Sequence, residues 1–242
     1  MAVERAVLLI ADIGGYTRFM QVHRRNLAHA QEIISALLEA VIGAAGRFRL
    51  AKLEGDAAFM WQPAGAACGN SIADMRRAFL KQKGALVGER LCTCESCMQI
   101  ENLRLKFVVH EGEVVRQKVA GSEELAGVDV IVVHRMLKND VPLRDYVLAT
   151  DAALEHAQTL GPLVEIAQDL EGIGSTRTHY VDLAPVQLVD VGPPVGMWMR
   201  LARKVRFEAR TVPYLLGFKE PCAGFGNAPS AAPSAVPSDQ ER

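Results

Sequence analysis

Val3–Thr17 reads VERAVLLIADIGGYT, and the rest of the chain is read outward from it. Its apolar, β-rich run predicts a buried central strand over Val3–Ala11. Asp12 ends that run, and Gly14-Gly15 follow. A similar arrangement recurs in Ala51–Met60, AKLEGDAAFM, where Gly55-Asp56 lies between predicted strands Phe48–Lys52 and Ala57–Trp61. That dipeptide predicts a tight hairpin. A carboxylate closing an apolar strand is costly unless something uses its charge. Two such groups brought together hold divalent cations, and a glycine-rich turn offers backbone N–H groups to phosphates. The two segments together point to a metal-nucleotide site.

Helical spacing of Leu27, Ala30, Ile33, Ile34, Leu37, Leu38 and Val41 predicts a helix over Asn26–Ala45, closed by Gly46. A second helix is expected from Pro63-Ala64-Gly65 through Met75 and Phe79 to about Leu86. Leu103–His110 (LRLKFVVH) predicts a strand, with Gly112–Lys118 returning as its hairpin partner. Val130–Lys138 reads as a helix stopped by Asn139-Asp140 before Pro142. Tyr146–Ala149, Leu163–Ile166 and Arg177–Leu183 read as strands, and Asp151–His156 as a short helix. The order strand, helix, two strands, helix, strand is that of a ferredoxin-like α+β sandwich, a mainly antiparallel sheet with helices packed on it.

Lysine plus arginine (27) nearly balances aspartate plus glutamate (28), so composition gives no support to nucleic acid as a partner. The N-terminal apolar run is too short and too charged for a signal peptide, and no stretch reaches the length of a membrane span. A cytoplasmic protein is expected. Residues 1–185 are expected to form the folded domain, with Gly192-Pro193-Pro194 marking a break beyond it. Residues 186–222 form a basic amphipathic extension, with Arg200, Arg203, Lys204, Arg206 and Arg210 among Trp198, Leu201, Val205 and Phe207. The part spanning 197–218 suits either an anionic membrane surface or, as the preferred reading, a helix covering the domain. Residues 223–242 repeat Ala, Pro and Ser and are expected to be a disordered tail.

Three short motifs carry a resemblance. Asp12-Ile13-Gly14-Gly15-Tyr16-Thr17 follows the first strand, Lys52-Leu53-Glu54-Gly55-Asp56 makes the hairpin, and His110-Glu111-Gly112 ends a later strand. In this order, from about Val3 to Leu183, the chain resembles the class III nucleotidyl cyclases, the adenylyl and guanylyl cyclase homology domain. The resemblance implies that Asp12 and Asp56, with Ile13, hold two Mg²⁺ or Mn²⁺ ions. It implies that the turn Ile13, Gly14, Gly15, Tyr16, Thr17 cradles the triphosphate of a purine nucleotide. Lys52 falls where the family places a purine-reading lysine, and Glu124 where adenylyl cyclases place its acidic partner, which would favour ATP. Arg135 takes the place of the transition-state arginine. Because the family's site lies between two subunits, a homodimer is implied, with Asp12 and Asp56 of one subunit facing Lys52, Glu124 and Arg135 of the other.

Two positions depart from the family. Ile131 stands where an asparagine orients the ribose, and Glu171 stands where a lysine meets the triphosphate. Isoleucine donates no hydrogen bond, and a carboxylate repels a polyphosphate. The metal half is therefore intact, and the ribose and triphosphate clamps are altered. Three functions stay open: an adenylate cyclase, a nucleotide or metal sensor without catalysis, and an interaction module stapled by zinc. Bland readings stay open beside them. Asp12 and Asp56 also suit a helix cap and a turn, Lys52 an exposed strand, and Arg135 an ion pair with Asp129 or Asp140.

The cysteines are outside this resemblance. Cys92, Cys94 and Cys97 crowd into a polar segment, with spacing that supplies three of four tetrahedral Zn²⁺ ligands; His110 or Cys68 would complete the shell. A disulfide between Cys94 and Cys97, or inert thiols, are the alternatives.

Overall fold

The opening apolar run forms strand β1 (Val3–Gly14), and its alternation divides the molecule into two cores. The computed structural model describes residues 3–23, 27–89 and 99–185. Val7, Leu9, Ala11 and Ile13 enter one core, whereas Ala6, Leu8 and Ile10 enter the other. All seven are fully buried, which explains a run without polar alternation: the sheet is covered on both faces.

β1 lies between β3 (Ala57–Pro63) and β4 (Arg104–Val119), antiparallel to both, with β2 (Arg49–Glu54) outside β3. Beyond β4 come β6 (Tyr146–Thr150), β8 (Gly174–Asp182) and β7 (Val164–Leu170), while β5 (Ser122–Ala126) pairs the far end of β4. The order is β2-β3-β1-β4-β6-β8-β7, and only the β4–β6 pairing is parallel among the described residues. The fold is thus α+β with a mainly antiparallel sheet.

Helices α2 (Leu27–Gly43) and α3 (Gly69–Glu89) cover the first face, burying Ile34, Leu37 and Val41 with Ile72, Met75 and Phe79. The second face receives α4 (Val128–Arg135), whose Val132 and Val133 pack with Met136 on Leu8 and Ile10. A short helix α1 (Tyr16–Val22), absent from the expected elements, follows β1 and buries Phe19. Another, α5 (Leu154–Ala157), follows β6. No helix among the described residues is long and apolar enough to cross a membrane.

One expectation is corrected. Gly112–Lys118 is not a returning hairpin strand: β4 runs unbroken from Arg104 to Val119, with Gly112 opposite Ala6 and Glu111 opposite Val7. The hairpin comes later, at Ala120-Gly121, where both residues have positive φ (50° and 86°), as a type I′ turn requires. Gly112 serves packing instead. A Cβ on it would overlap the Asp129 carboxylate and lie 2.6 Å from the Asp129 Cβ, so only glycine lets α4 sit this close to β4. Residues 186–222 and 223–242, like Cys92, Cys94 and Cys97, lie outside the described residues.

Candidate functional site

Asp12 does not end β1; it stays in the ladder, opposite Ala57 on β3 and Lys106 on β4. Alternation puts it on the face of Leu8 and Ile10, where it is partly exposed. Asp56 occupies the two-residue turn between β2 and β3, and its carbonyl accepts the Ile13 N–H at 3.1 Å. The β1–β3 register, with Asp12 opposite Ala57, therefore delivers Asp56 beside Asp12. Burial, and then the negative charge of Asp12, push the Asp56 carboxyl up to about 6. Lys106 completes the group, with Nζ 2.9 Å from the Asp12 Oδ2. Burial works against the Lys106 charge, but the bond to Asp12 outweighs it, and the lysine's pKa is raised.

These residues fit a divalent cation. Two hard carboxylates lie together, and burial, then the charge of Asp12, favours the protonated form of Asp56, a cost that a divalent cation would offset. The folded-state value lies above the ordinary 3.8 of a free aspartate. Proton uptake by Asp56 therefore stabilises the metal-free fold fully below about pH 4, and that contribution is lost as pH rises through about 6. Because Mn²⁺ competes with this proton, its apparent affinity is expected to fall by up to about tenfold per pH unit below 6. Thermal shifts measured with Mn²⁺ should be larger at pH 7.5 than at pH 5; equal shifts would contradict the assignment.

Next to this pair, at the end of β1, the chain turns at Gly15 (φ 89°), which caps α1. A cavity of 430 Å³ opens there, lined by Gly14, Gly15, Arg18, Arg104, Lys106 and Arg144, among others. Tyr16 and Thr17 begin α1. Lys106 borders both the cavity and Asp12.

The remaining expected residues lie elsewhere. Lys52 is exposed on β2 opposite Phe59, and Glu124 is half-buried on β5 opposite Gln117; no ion pair joins them among the described residues. Arg135, at the end of α4, forms an ion pair with Glu171 of the β7–β8 turn, rather than with Asp129 or Asp140. Arg135, at the place the resemblance gives to the transition-state arginine, is thus held by Glu171, one of the two departing positions. Ile131 is half exposed on α4.

Asn139 and Arg177 are engaged in other contacts. Asn139 accepts from the Tyr146 hydroxyl at 2.9 Å and donates to the Met136 carbonyl, and Arg177 pairs with Asp151 at 2.5 Å. His110 and Cys68 are poor zinc ligands. The His110 ring nitrogens meet Thr150 Oγ1 at 2.7 Å and Asp129 Oδ1 at 2.9 Å. The Cys68 thiol is buried, and burial pushes it up to about 12.

Sequence reading missed three groups. Lys106 is one, although a lysine inside LRLKFVVH was a signal: a cation in a buried strand needs a partner. Glu54 is the second, accepting from His134 Nε2 at 3.2 Å and so tying the hairpin to α4. The third, Glu111, Glu155 and His156, gathers ligand atoms within 4.8 Å of one another. His156 is fully buried against Glu111, whose other oxygen takes Arg5 at 2.9 Å, an ion-pair network in its own right.

Comparison with known proteins adds fold and family. A guanylate cyclase domain from Catenaria anguillulae in complex with GTP superposes with a TM-score of 0.56 at 14% identity, over 75% of this chain and 98% of that one. A bacterial light-regulated adenylyl cyclase does so with a TM-score of 0.57 at 13% identity, over 86% of this chain and 57% of that one. At such identities the likeness is one of fold: this chain has the fold of adenylyl and guanylyl cyclase domains. Residues 34–146 match the family model described as "Protein of unknown function (DUF2652)". The uncharacterized protein Rv2561/Rv2562 of Mycobacterium tuberculosis is 47% identical over 201 residues, which is 79% of this chain and 93% of the relative. On that identity and coverage, this chain belongs to the same family as Rv2561/Rv2562.

Proposed function

We propose that this protein binds a purine nucleoside triphosphate, ATP first, with Mg²⁺ or Mn²⁺ at Asp12 and Asp56, and cyclises it to a 3′,5′-cyclic nucleotide with release of pyrophosphate. One observation carries the reading: the β1–β3 pairing of Asp12 with Ala57 and the turn at Asp56 bring two carboxylates together beside the Gly14-Gly15 turn, a pair that would hold a divalent cation. When bound, the cation would make the ribose 3′-hydroxyl more acidic and offset charge developing at the α-phosphate. Asp12 and Asp56 supply the oxygens that hold it, and Ile13 the adjoining backbone. Lys106 then exchanges Asp12 for phosphate oxygens, since it borders both. The Gly14–Thr17 turn lies against the phosphates.

In a homodimer, Lys52 and Glu124 of the second subunit read the purine, and Arg135 approaches the transferring phosphate. Ile131 supports only apolar contact with the ribose. Product analysis with ATP, GTP, CTP and UTP in Mn²⁺ tests this directly. A cyclic nucleotide from a purine substrate is expected; no product from folded, Mn²⁺-loaded protein would overturn catalysis.

A second reading, a nucleotide sensor without catalysis, is favoured by the Arg135–Glu171 ion pair. Glu171→Lys separates the two. It frees Arg135 and adds a cation, so Mn²⁺-ATP is expected to bind about tenfold more tightly, roughly 1.4 kcal/mol, together with faster turnover. Tighter binding without any product would favour the sensor. Unchanged binding in a calorimetric titration would remove Arg135 from the site.

A further inference from the structure

Glu111, Glu155 and His156 meet on the opposite face of the sheet from Asp12 and Asp56. Glu111 lies opposite Val7 on β1, and alternation along β4 puts it on the face of Phe107 and Val109, which α2 and α3 cover. Lys106, the partner of Asp12, points to the other face. The two β4 positions are separated by roughly 17 Å, at about 3.4 Å per residue. Glu155 and His156 come from α5, which follows β6.

The His156 Nε2 stands 3.2 Å from Glu111 Oε2 and 3.9 Å from Glu155 Oε1. Ligand atoms of the three residues all lie within 4.8 Å of one another. The His156 side chain is wholly buried, Glu111 is nearly so, and Glu155 is 62% exposed. One buried nitrogen therefore faces two carboxylates. As a neutral ring, His156 has one proton to give: at Nε2 it serves one carboxylate and leaves the other without a donor. On the far side of the ring Nδ1 is buried with no hydrogen-bond partner among the described residues. No group there holds the tautomer, so Nε2 can present its lone pair without breaking a hydrogen bond at Nδ1. Arg5 takes the Glu111 Oε1 at 2.9 Å, which leaves Oε2 turned toward His156. Carboxylates that bind metals are commonly oriented by such an outer partner.

Bound at about 2.0–2.2 Å in a tetrahedron, ligand atoms of Zn²⁺ stand roughly 3.3–3.5 Å apart. The separations of 3.2 and 3.9 Å bracket that spacing, and the exposed Glu155 has room to close the rest. An imidazole with two carboxylates suits Zn²⁺ better than Mg²⁺ or Ca²⁺, which prefer oxygen alone. Two carboxylates against one arginine also leave negative charge for a dication to offset.

We propose that Glu111, Glu155 and His156 form a Zn²⁺ site, with water completing the coordination on the exposed side of Glu155. The ion joins β4 to α5 and, through Arg5, to β1; without it the same groups are held as ion pairs. This site does not rest on the nucleotide function proposed above.

The test is calorimetric titration of Zn²⁺ into the full chain carrying Cys92→Ser, Cys94→Ser and Cys97→Ser, which silences the clustered thiols. Glu155→Gln, added to that protein, keeps the shape of an exposed side chain and removes a charged ligand. It is expected to weaken Zn²⁺ binding at least about tenfold and to abolish the rise in unfolding temperature that Zn²⁺ gives the parent. Zinc-edge X-ray absorption of the parent should show nitrogen and oxygen ligands that include an imidazole. The Glu155-dependent binding should persist when Asp12→Ala/Asp56→Ala is added, which separates this site from the other carboxylate pair. Equal Zn²⁺ binding with and without Glu155→Gln, binding by neither protein, or binding that vanishes with Asp12 and Asp56 would each overturn the assignment.

Discussion

Asp12→Ala is expected to lower cyclic-nucleotide formation in Mn²⁺ by at least about a hundredfold, with most of the loss in kcat. Asp12 holds Lys106 at 2.9 Å and contributes to raising Asp56, so its removal acts in two directions. One of two carboxylates for the cation disappears. At the same time Lys106 is released toward the cavity that it borders, which strengthens its pull on phosphate. Nucleotide affinity should therefore fall much less than turnover. Loss of the Asp12 charge also removes the second-largest upward influence on Asp56, so the Asp56 pKa is expected to fall, while burial, the largest influence, keeps it above the ordinary carboxylate value. Steady-state kinetics separates the effects. A fall in KM-linked binding equal to the fall in kcat would mean that Asp12 acts as a general binding group and not at the reacting atoms.

Gly112→Ala is expected to destabilise the protein by about 2–4 kcal/mol. The added Cβ would overlap the Asp129 carboxylate, which has little room to yield. Its two oxygens are held by His110 Nε2 at 2.9 Å and by the Glu113 N–H at 2.6 Å. Displacing it leaves a buried histidine nitrogen without that partner and lifts the first turn of α4 off β4. Chemical denaturation measures the loss, and Asp129→Gly in the Gly112→Ala background should recover part of it by removing the overlapping atoms. Additive losses would show that the two residues do not meet. Since α4 carries Arg135 and, through His134, holds Glu54 of the hairpin, the same substitution should also disturb the site.

Much of the fold is legible because its signals are local. The unbroken burial of β1, the 3.6-residue spacing of α2, and Gly55-Asp56 between two strands each carry their structure in a few residues. The misread hairpin at Gly112 shows the limit. A glycine after a strand signals a turn equally well when its real purpose is the approach of Asp129, which lies 17 positions away, and no local pattern separates the two. The site divides in the same way. Asp12 and Asp56 come together through the β1–β3 register, which sets Asp12 opposite Ala57, the neighbour of Asp56. The Lys106–Asp12 and Arg135–Glu171 pairs join positions far apart in the chain, where only the folded backbone reveals which charges meet.

The central claim is that Asp12 and Asp56 form one cation site next to the phosphate-binding turn. Mn²⁺ binding followed by electron paramagnetic resonance, with and without ATP, in wild type and in Asp12→Ala/Asp56→Ala, tests it most directly. Wild type should bind Mn²⁺ at pH 7.5, more tightly when ATP is present, and the double variant should lose that binding while keeping the thermal unfolding profile of a folded protein. Mn²⁺ binding of equal strength in both proteins would contradict the account.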